Sequence, residues 1–180
     1  LTTLEQRELA VTNGVLHLPE ETCTITIVPR HGQPHPPQCA LLRGLGLQRG
    51  ALATSISHDS HNVLVTGHAP ADMLLAVREL AASGGGLVAV ADGRVLAKVD
   101  LPLAGLMSLQ SVDALAQKTR ALNQVVRDLG IEHAAKALST TGLALTVIPA
   151  VRMSDLGGLF DVATQEFVPI FPAFPPPAAA

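Results

Sequence analysis

Six consecutive polar residues, Ser57-His58-Asp59-Ser60-His61-Asn62, follow directly on an apolar run of strand type, Ala51 to Ile56. Two imidazoles, a carboxylate, two hydroxyls and an amide in one stretch suit three kinds of chemistry. An imidazole titrates near neutrality and relays protons, and a carboxylate beside it fixes its tautomer. The same groups ligate metals, and a hydroxyl next to an imidazole is the starting point of a nucleophile. Spacing narrows the choice. His58, Asp59 and His61 offer a His-x-x-His pair with no third and fourth ligand nearby, so no metal site is expected in this chain. Neighbours on a strand point to opposite faces and there is no Gly-x-Ser-x-Gly elbow, which argues against a triad built on Ser55, Ser57 or Ser60. Two readings stay open. The run is a hydrogen-bonded turn between strands, since Asp, Ser and Asn are common turn formers. Or it is the rim of a catalytic pocket or interface, with His58 and His61 facing it and Asp59 orienting one ring.

The elements that must position this run are legible as patterns. Thr22 to Val28 alternates and is β-branched, which predicts a strand. Pro29 to Pro37 is a proline-rich loop, so His31 and His35 within it are expected to be exposed and to lack supporting ligands. Ala51–Ile56 and Val63–Thr66 read as strands flanking the polar run. Met73, Ala76, Val77, Leu80 and Ala81 recur at helical spacing over 70–82, with Gly84, Gly85 and Gly86 as the stop rather than a phosphate cradle. Leu87–Ala91 and Val95–Val99 around Asp92-Gly93 predict a hairpin. Ser111 is a natural N-cap for a second helix whose stripe is Leu115, Thr119, Leu122, Val126 and Leu129, closed by Gly130. A short helix is expected over 132–138 and strands over 143–148 and 160–168. Leu4–Ala10 reads as a short helix or lead-in, Ala40–Leu47 is ambiguous, and Arg152, Ser154 and Asp155 read as a solvated turn. The apolar loop Leu101–Ser108 and the phenylalanines Phe167, Phe171 and Phe174 are docking surface or core.

Composition sets the frame. One hundred and eighty residues, 48% hydrophobic and 15% charged, make one globular domain with an aliphatic core, since Trp and Tyr are absent. A formal charge of −3 and the lack of stacking aromatics argue against a nucleic-acid partner. No run approaches the ~18 apolar residues of a membrane span. Cys23 and Cys39 do not make a disulfide framework, and a cytoplasmic location is expected.

Five blocks together resemble a known family. They are Gly44 to Asn62 (Gly-Leu-Gly-Leu-Gln-Arg-Gly-Ala-Leu-Ala-Thr-Ser-Ile-Ser-His-Asp-Ser-His-Asn), Asp72-Met73, Ser83 to Gly93, Leu101 to Ser108 (Leu-Pro-Leu-Ala-Gly-Leu-Met-Ser), and Leu159-Phe-Asp-Val to Glu166-Phe-Val-Pro. In that order they resemble the C-terminal domain of bacterial-type adenine deaminase, in the metal-dependent amidohydrolase superfamily, over about residues 23 to 170. The resemblance implies that the complete enzyme hydrolyses adenine to hypoxanthine and ammonia. It implies that a preceding barrel domain holds the metal, manganese or iron, whose activated water attacks the purine carbon bearing the amino group. It marks Ser57 to Asn62 as a hallmark that faces either the purine site or an interface. This sequence departs from the pattern in two places. There is no room for a barrel of about 250 residues and no His-x-His pair. Ile131 to Thr141 reads Ile-Glu-His-Ala-Ala-Lys-Ala-Leu-Ser-Thr-Thr, where the family usually has a segment resembling Asp-Pro-Phe-Met before a hydrophobic helix.

The expected fold is α/β of the mixed α+β kind: a mixed β-sheet with helices packed on it, in a single domain. Residues 1–22 form an N-terminal lead-in, 23–170 the deaminase C-terminal-like domain and 171–180 a Pro/Ala-rich tail. The expected role is the C-terminal domain of an adenine deaminase, as a fragment or a separately encoded piece, inactive alone and completing a barrel supplied in cis or in trans. A homo-oligomer is expected, as is contact with adenine through the complete enzyme only. The rival is a stand-alone binding or assembly module that has lost deaminase activity. A third option, an independent hydrolase, has only the His/Asp/Ser cluster behind it.

Overall fold

Strict alternation over Thr22–Val28 builds strand β3, preceded by the small hairpin of β1 (Val11–Thr12) and β2 (Val15–Leu16). The inward side chains of β3, Cys23, Ile25 and Ile27, are each 2% exposed in the computed structural model, which describes residues 2–171. Strands β4 (Gln38–Arg43), β5 (Ala51–Thr54), β6 (Val63–Gly67), β7 (Gly86–Ala91) and β8 (Arg94–Asp100) join it in the order β4-β3-β6-β5-β7-β8. Helices α1 (Pro70–Ser83), α2 (Val112–Asp128) and α3 (Ala134–Ser139) follow the expected stretches. A second sheet is made by β9 (Val151–Ser154), β10 (Gly158–Asp161) and β11 (Glu166–Val168). The expected 171–180 tail, with Phe174, lies outside the described residues beyond Phe171.

The α+β class holds, with helices packed on the sheet of one domain. The pairing differs from the mixed sheet expected: all five pairs of the six-stranded sheet are antiparallel. The cause is the position of β5. Helix α1 carries the chain from β6 to β7 in the same direction, but β5 lies between them and pairs antiparallel with both.

Period-two alternation divides the core into two faces. On one face, Ala51, Ala53, Val63, Val65, Val88 and Val90 pack under Met73, Ala76 and Leu80 of α1. On the other, Ala89, Ala91 and Val99 meet Leu122, Val126 and Leu129 around α2. Ile25, Ile27, Ala40 and Leu64 on that same face meet Met153 of the second sheet. Ser111 caps α2 as expected, its Oγ accepting from the Ala114 N–H at 3.3 Å.

Four local expectations are settled or overturned. Leu4–Ala10 is a lead-in without a helix, tied to the body by Glu5 on Arg43 Nη1 at 2.9 Å. Thr119, expected in the buried stripe of α2, is exposed. Residues 143–148 are not a strand but the end of a 3-10 turn (Thr140–Ala144) and the bends after it. Ser139, Thr140 and Thr141 donate to carbonyls three residues back, at 2.7, 2.7 and 2.8 Å, which favours tight turns, and Leu143 and Ala144 plug the gap between the two sheets. Arg152 is not in a solvated turn. It is 6% exposed on β9, held by the carbonyls of Val151 and Pro149 at 2.9 and 2.8 Å, and burial pushes its guanidinium below the usual arginine range.

Candidate functional site

The polar run closes the β5–β6 hairpin at one end of the main sheet. The same end receives the start of β7, the end of β8 and the end of β3. Three stretches distant in sequence therefore meet the run: Pro29-Arg30-His31, Gly84 to Gly86 with Leu101 to Ser108, and Ser154-Asp155.

The run splits into an anchored half and a presented half. Asn62 is 2% exposed; its Oδ1 accepts from the Arg30 N–H at 3.1 Å and its Nδ2 donates to Asp155 Oδ2 at 2.9 Å. Ser57 is fully buried, its N–H donating to His61 Nδ1 at 3.3 Å and its carbonyl accepting from the His61 N–H at 2.6 Å. The Ser57 Oγ finds no hydrogen-bond partner among the described residues. Between these anchors His58, Asp59 and Ser60 are exposed. His61 is half-buried, and its ring meets that of His58 edge-on with centroids 5.6 Å apart. Burial, helped by the positive charges of His58 and Arg30, holds His61 below the ordinary imidazole range. A neutral His61 that accepts at Nδ1 carries its proton on Nε2.

Arg30 ties the run to the apolar loop. Its Nε donates to the His61 carbonyl and its Nη2 to the Ala104 carbonyl, both at 2.5 Å. His31 Nε2 lies 2.8 Å from the Ser60 carbonyl, so this histidine of the proline-rich loop braces the run. Ser55 Oγ donates to the Gly105 carbonyl at 2.6 Å and accepts from the Gly86 N–H at 2.8 Å. Gly85 lets these backbones meet: a Cβ there would lie 2.4 Å from Gly105 Cα. On the other side, Asp59, Ser60 and Asp155 line a cavity of about 220 Å³ with Leu145, Thr146 and Val147.

Reading the sequence misses Arg30 and Asp155. Arg30 has a usable signal: once β3 and β6 pair with Val28 opposite Val63, residue 30 must come beside residue 61. Asp155 has none, because only the packing of the second sheet brings it there. The block Asp72-Met73 has a structural reason at the opposite end. Asp72 accepts from the N–H groups of Asp92 and Gly93 at 3.2 and 2.8 Å and so fixes the β7–β8 turn.

The donor set at the run does not fit a resident metal. His61 Nδ1 is taken by a backbone N–H, and the two rings stand edge to face. Among the described residues no three His, Cys, Asp or Glu side chains converge so as to hold an ion. What the arrangement offers is an exposed imidazole, carboxylate and hydroxyl on a braced turn. Those groups are fitted to hydrogen-bond a covering surface or a ligand at its edge. No helix among the described residues is long and apolar enough to cross a membrane.

A family model, adenine deaminase C-terminal domain, matches residues 1–166. The chain is 43% identical over 150 residues to an adenine deaminase of Edwardsiella ictaluri, a match covering 83% of this chain and 25% of that protein. It is 41% identical over 143 residues to an adenine deaminase of Bdellovibrio bacteriovorus, covering 79% and 24%. To adenine deaminase 2 of Carboxydothermus hydrogenoformans it is 39% identical over 152 residues, covering 84% and 26%. The chain thus spans about a quarter of the length of the curated relatives it matches.

Proposed function

We propose a role from one premise: this chain belongs to the adenine deaminase C-terminal domain family. The role is to complete an adenine deaminase, which converts adenine and water to hypoxanthine and ammonia, by packing on a metal-dependent catalytic part supplied in cis or in trans. The observation that carries this reading is the division of the polar run. Asn62 and Ser57 are buried and hold the turn, while His58, Asp59 and Ser60 stand outward. A turn serving only to join two strands has no need of bracing from Arg30, His31 and Asp155. In the complete enzyme these outward groups would border the purine pocket or the contact beside it. Manganese or iron, in this reading, is held by the catalytic part. The enzyme would work in the cytoplasm, in purine salvage.

The test is ammonia release from adenine in the presence of Mn²⁺ or Fe²⁺. The chain alone should release none. A chimera joining the leading three quarters of the Edwardsiella ictaluri enzyme to this chain should be active, and the leading part alone much less so. Turnover by the isolated chain would sink the proposal, as would a leading part fully active without it. The rival reading, a stand-alone binding module, has one observation in its favour. An apolar cavity of about 130 Å³, lined by Leu52, Leu64, Leu87, Leu122, Val126 and Ala137, lies between the sheet, α2 and α3. An inactive chimera would favour that reading.

A further inference from the structure

Exposed aliphatic side chains gather on both sides of the polar run. Leu103, Met107 and Leu109 are 43, 59 and 72% exposed in the loop that Arg30 ties to His61. Val147 and Ile148 are 72 and 41% exposed in the bend whose residues line the cavity beside Asp59 and Ser60. Leu156, 65% exposed, follows the Asp155 that binds Asn62. Single exposed aliphatics are ordinary, but several exposed together beside polar groups mark a contact surface.

The loop from Leu103 to Met107 is also built to hold its shape. Leu103 and Met107 pair with each other through two backbone hydrogen bonds, at 3.2 and 3.1 Å. The backbone between them is clamped by Ser55, Gly85 and Arg30. Apolar side chains kept in water on a rigid platform lose little further entropy when covered.

We infer that this end of the domain, with His58 to His61 at its centre and Leu103, Met107, Leu109, Val147, Ile148 and Leu156 around it, is the face that docks on the remaining three quarters of the adenine deaminase chain. This rests on the role proposed above and names the surface that performs it. The occupant follows from length: about three quarters of each matched relative lies outside the segment this chain covers.

The experiment is hydroxyl-radical footprinting of the chimera described above against this chain alone. Labelling of Met107, Leu109, Val147 and Leu156 should fall about tenfold in the chimera, as in a water-excluded interface core. Leu74 on α1 and Leu96 on β8, exposed elsewhere, should be unchanged. The double variant Met107→Asp, Leu109→Asp should restore labelling at Val147, while Leu96→Asp should not. An active chimera protected at Leu74 or Leu96 instead would overturn the docking face and leave the proposed function standing. An inactive chimera with no protection would remove both. Protection in the isolated chain that rises with concentration would assign the face to self-association and refute the inference.

Discussion

The two ends of the main sheet solve the same problem, joining antiparallel neighbours, in opposite ways. At the far end β7 and β8 are joined by Asp92-Gly93 alone, fixed from below by Asp72 and met from outside by Arg49, whose Nη1 donates to Asp92 Oδ2 at 3.0 Å. At the near end β5 and β6 are joined by eight residues, Ser55 to Asn62, held by Arg30, His31, Asp155 and the backbone of Gly86 and Gly105. A two-residue turn needs few contacts beyond its own residues. The long one is specified by the rest of the chain, and what it gains is three polar side chains held outward in a fixed arrangement. The difference teaches where sequence has been committed to presentation rather than to folding economy.

The sharpest way to break this contrast is a methyl group at each end. At Gly85, φ is +128° and an added Cβ would meet Gly105 Cα at 2.4 Å, backbone against backbone. Gly85→Ala should destabilise the domain by about 4 kcal/mol, the range of severe overpacking combined with strain. At Gly93, φ is +71° and nothing lies within 4 Å of the position. Gly93→Ala should cost only about 1 kcal/mol, the backbone preference itself. Urea unfolding of the two variants measures both, and equal losses would mean that the near end is not clamped as described.

How much of this was readable beforehand follows the same division. β3, α1, α2 and the β7–β8 hairpin were legible because their signals are local: alternation, helical spacing, the Ser111 cap and Asp92-Gly93. The polar run was visible as a cluster, but its division into anchors and presented groups was not. That division depends on Arg30 and Asp155, 32 and 93 residues from Asn62. The bends at 143–148 and the burial of Arg152 escaped for the same reason. Their conformation is set by packing between the two sheets, and β-branched residues there read as strand only when the neighbours are unknown.

A second pair of variants sharpens the contrast by testing reach. Asn62→Ala removes a buried side chain that serves both the Arg30 N–H and the Asp155 carboxylate, and should destabilise by about 3 kcal/mol, since buried partners are left unpaired. Asp72→Ala removes the acceptor for two turn N–H groups nearer to solvent and should cost about 2 kcal/mol. The more telling measurement is hydrogen exchange. The Asn62 variant should raise exchange in segments 29–31 and 154–156 as well as in its own turn. The Asp72 variant should raise it only around residues 91–94. Spread of equal extent would erase the distinction between a turn held by several distant segments and a turn held by few contacts.

The smallest expected effect concerns pH, and it separates the ends by chemistry rather than by packing. His61 is held below the ordinary histidine range first by burial and then by His58 and Arg30, with His31 adding to the same side and only Asp59 opposing. The unfolded chain therefore binds its proton more readily than the folded one. Stability contributed by neutral His61 is complete above the ordinary histidine value of about 6.5 and is lost as pH falls from there through the lower folded value. Protonation at Nδ1 would also remove the acceptor for the Ser57 N–H. His61→Asn tests this without disturbing the backbone, because φ at this position is +51° and asparagine tolerates that region. Between pH 7 and pH 5 the wild-type denaturation midpoint should fall more steeply than that of the variant. Parallel slopes would show that the imidazole is solvated in both states, and with it that the near end does not exclude water around His61.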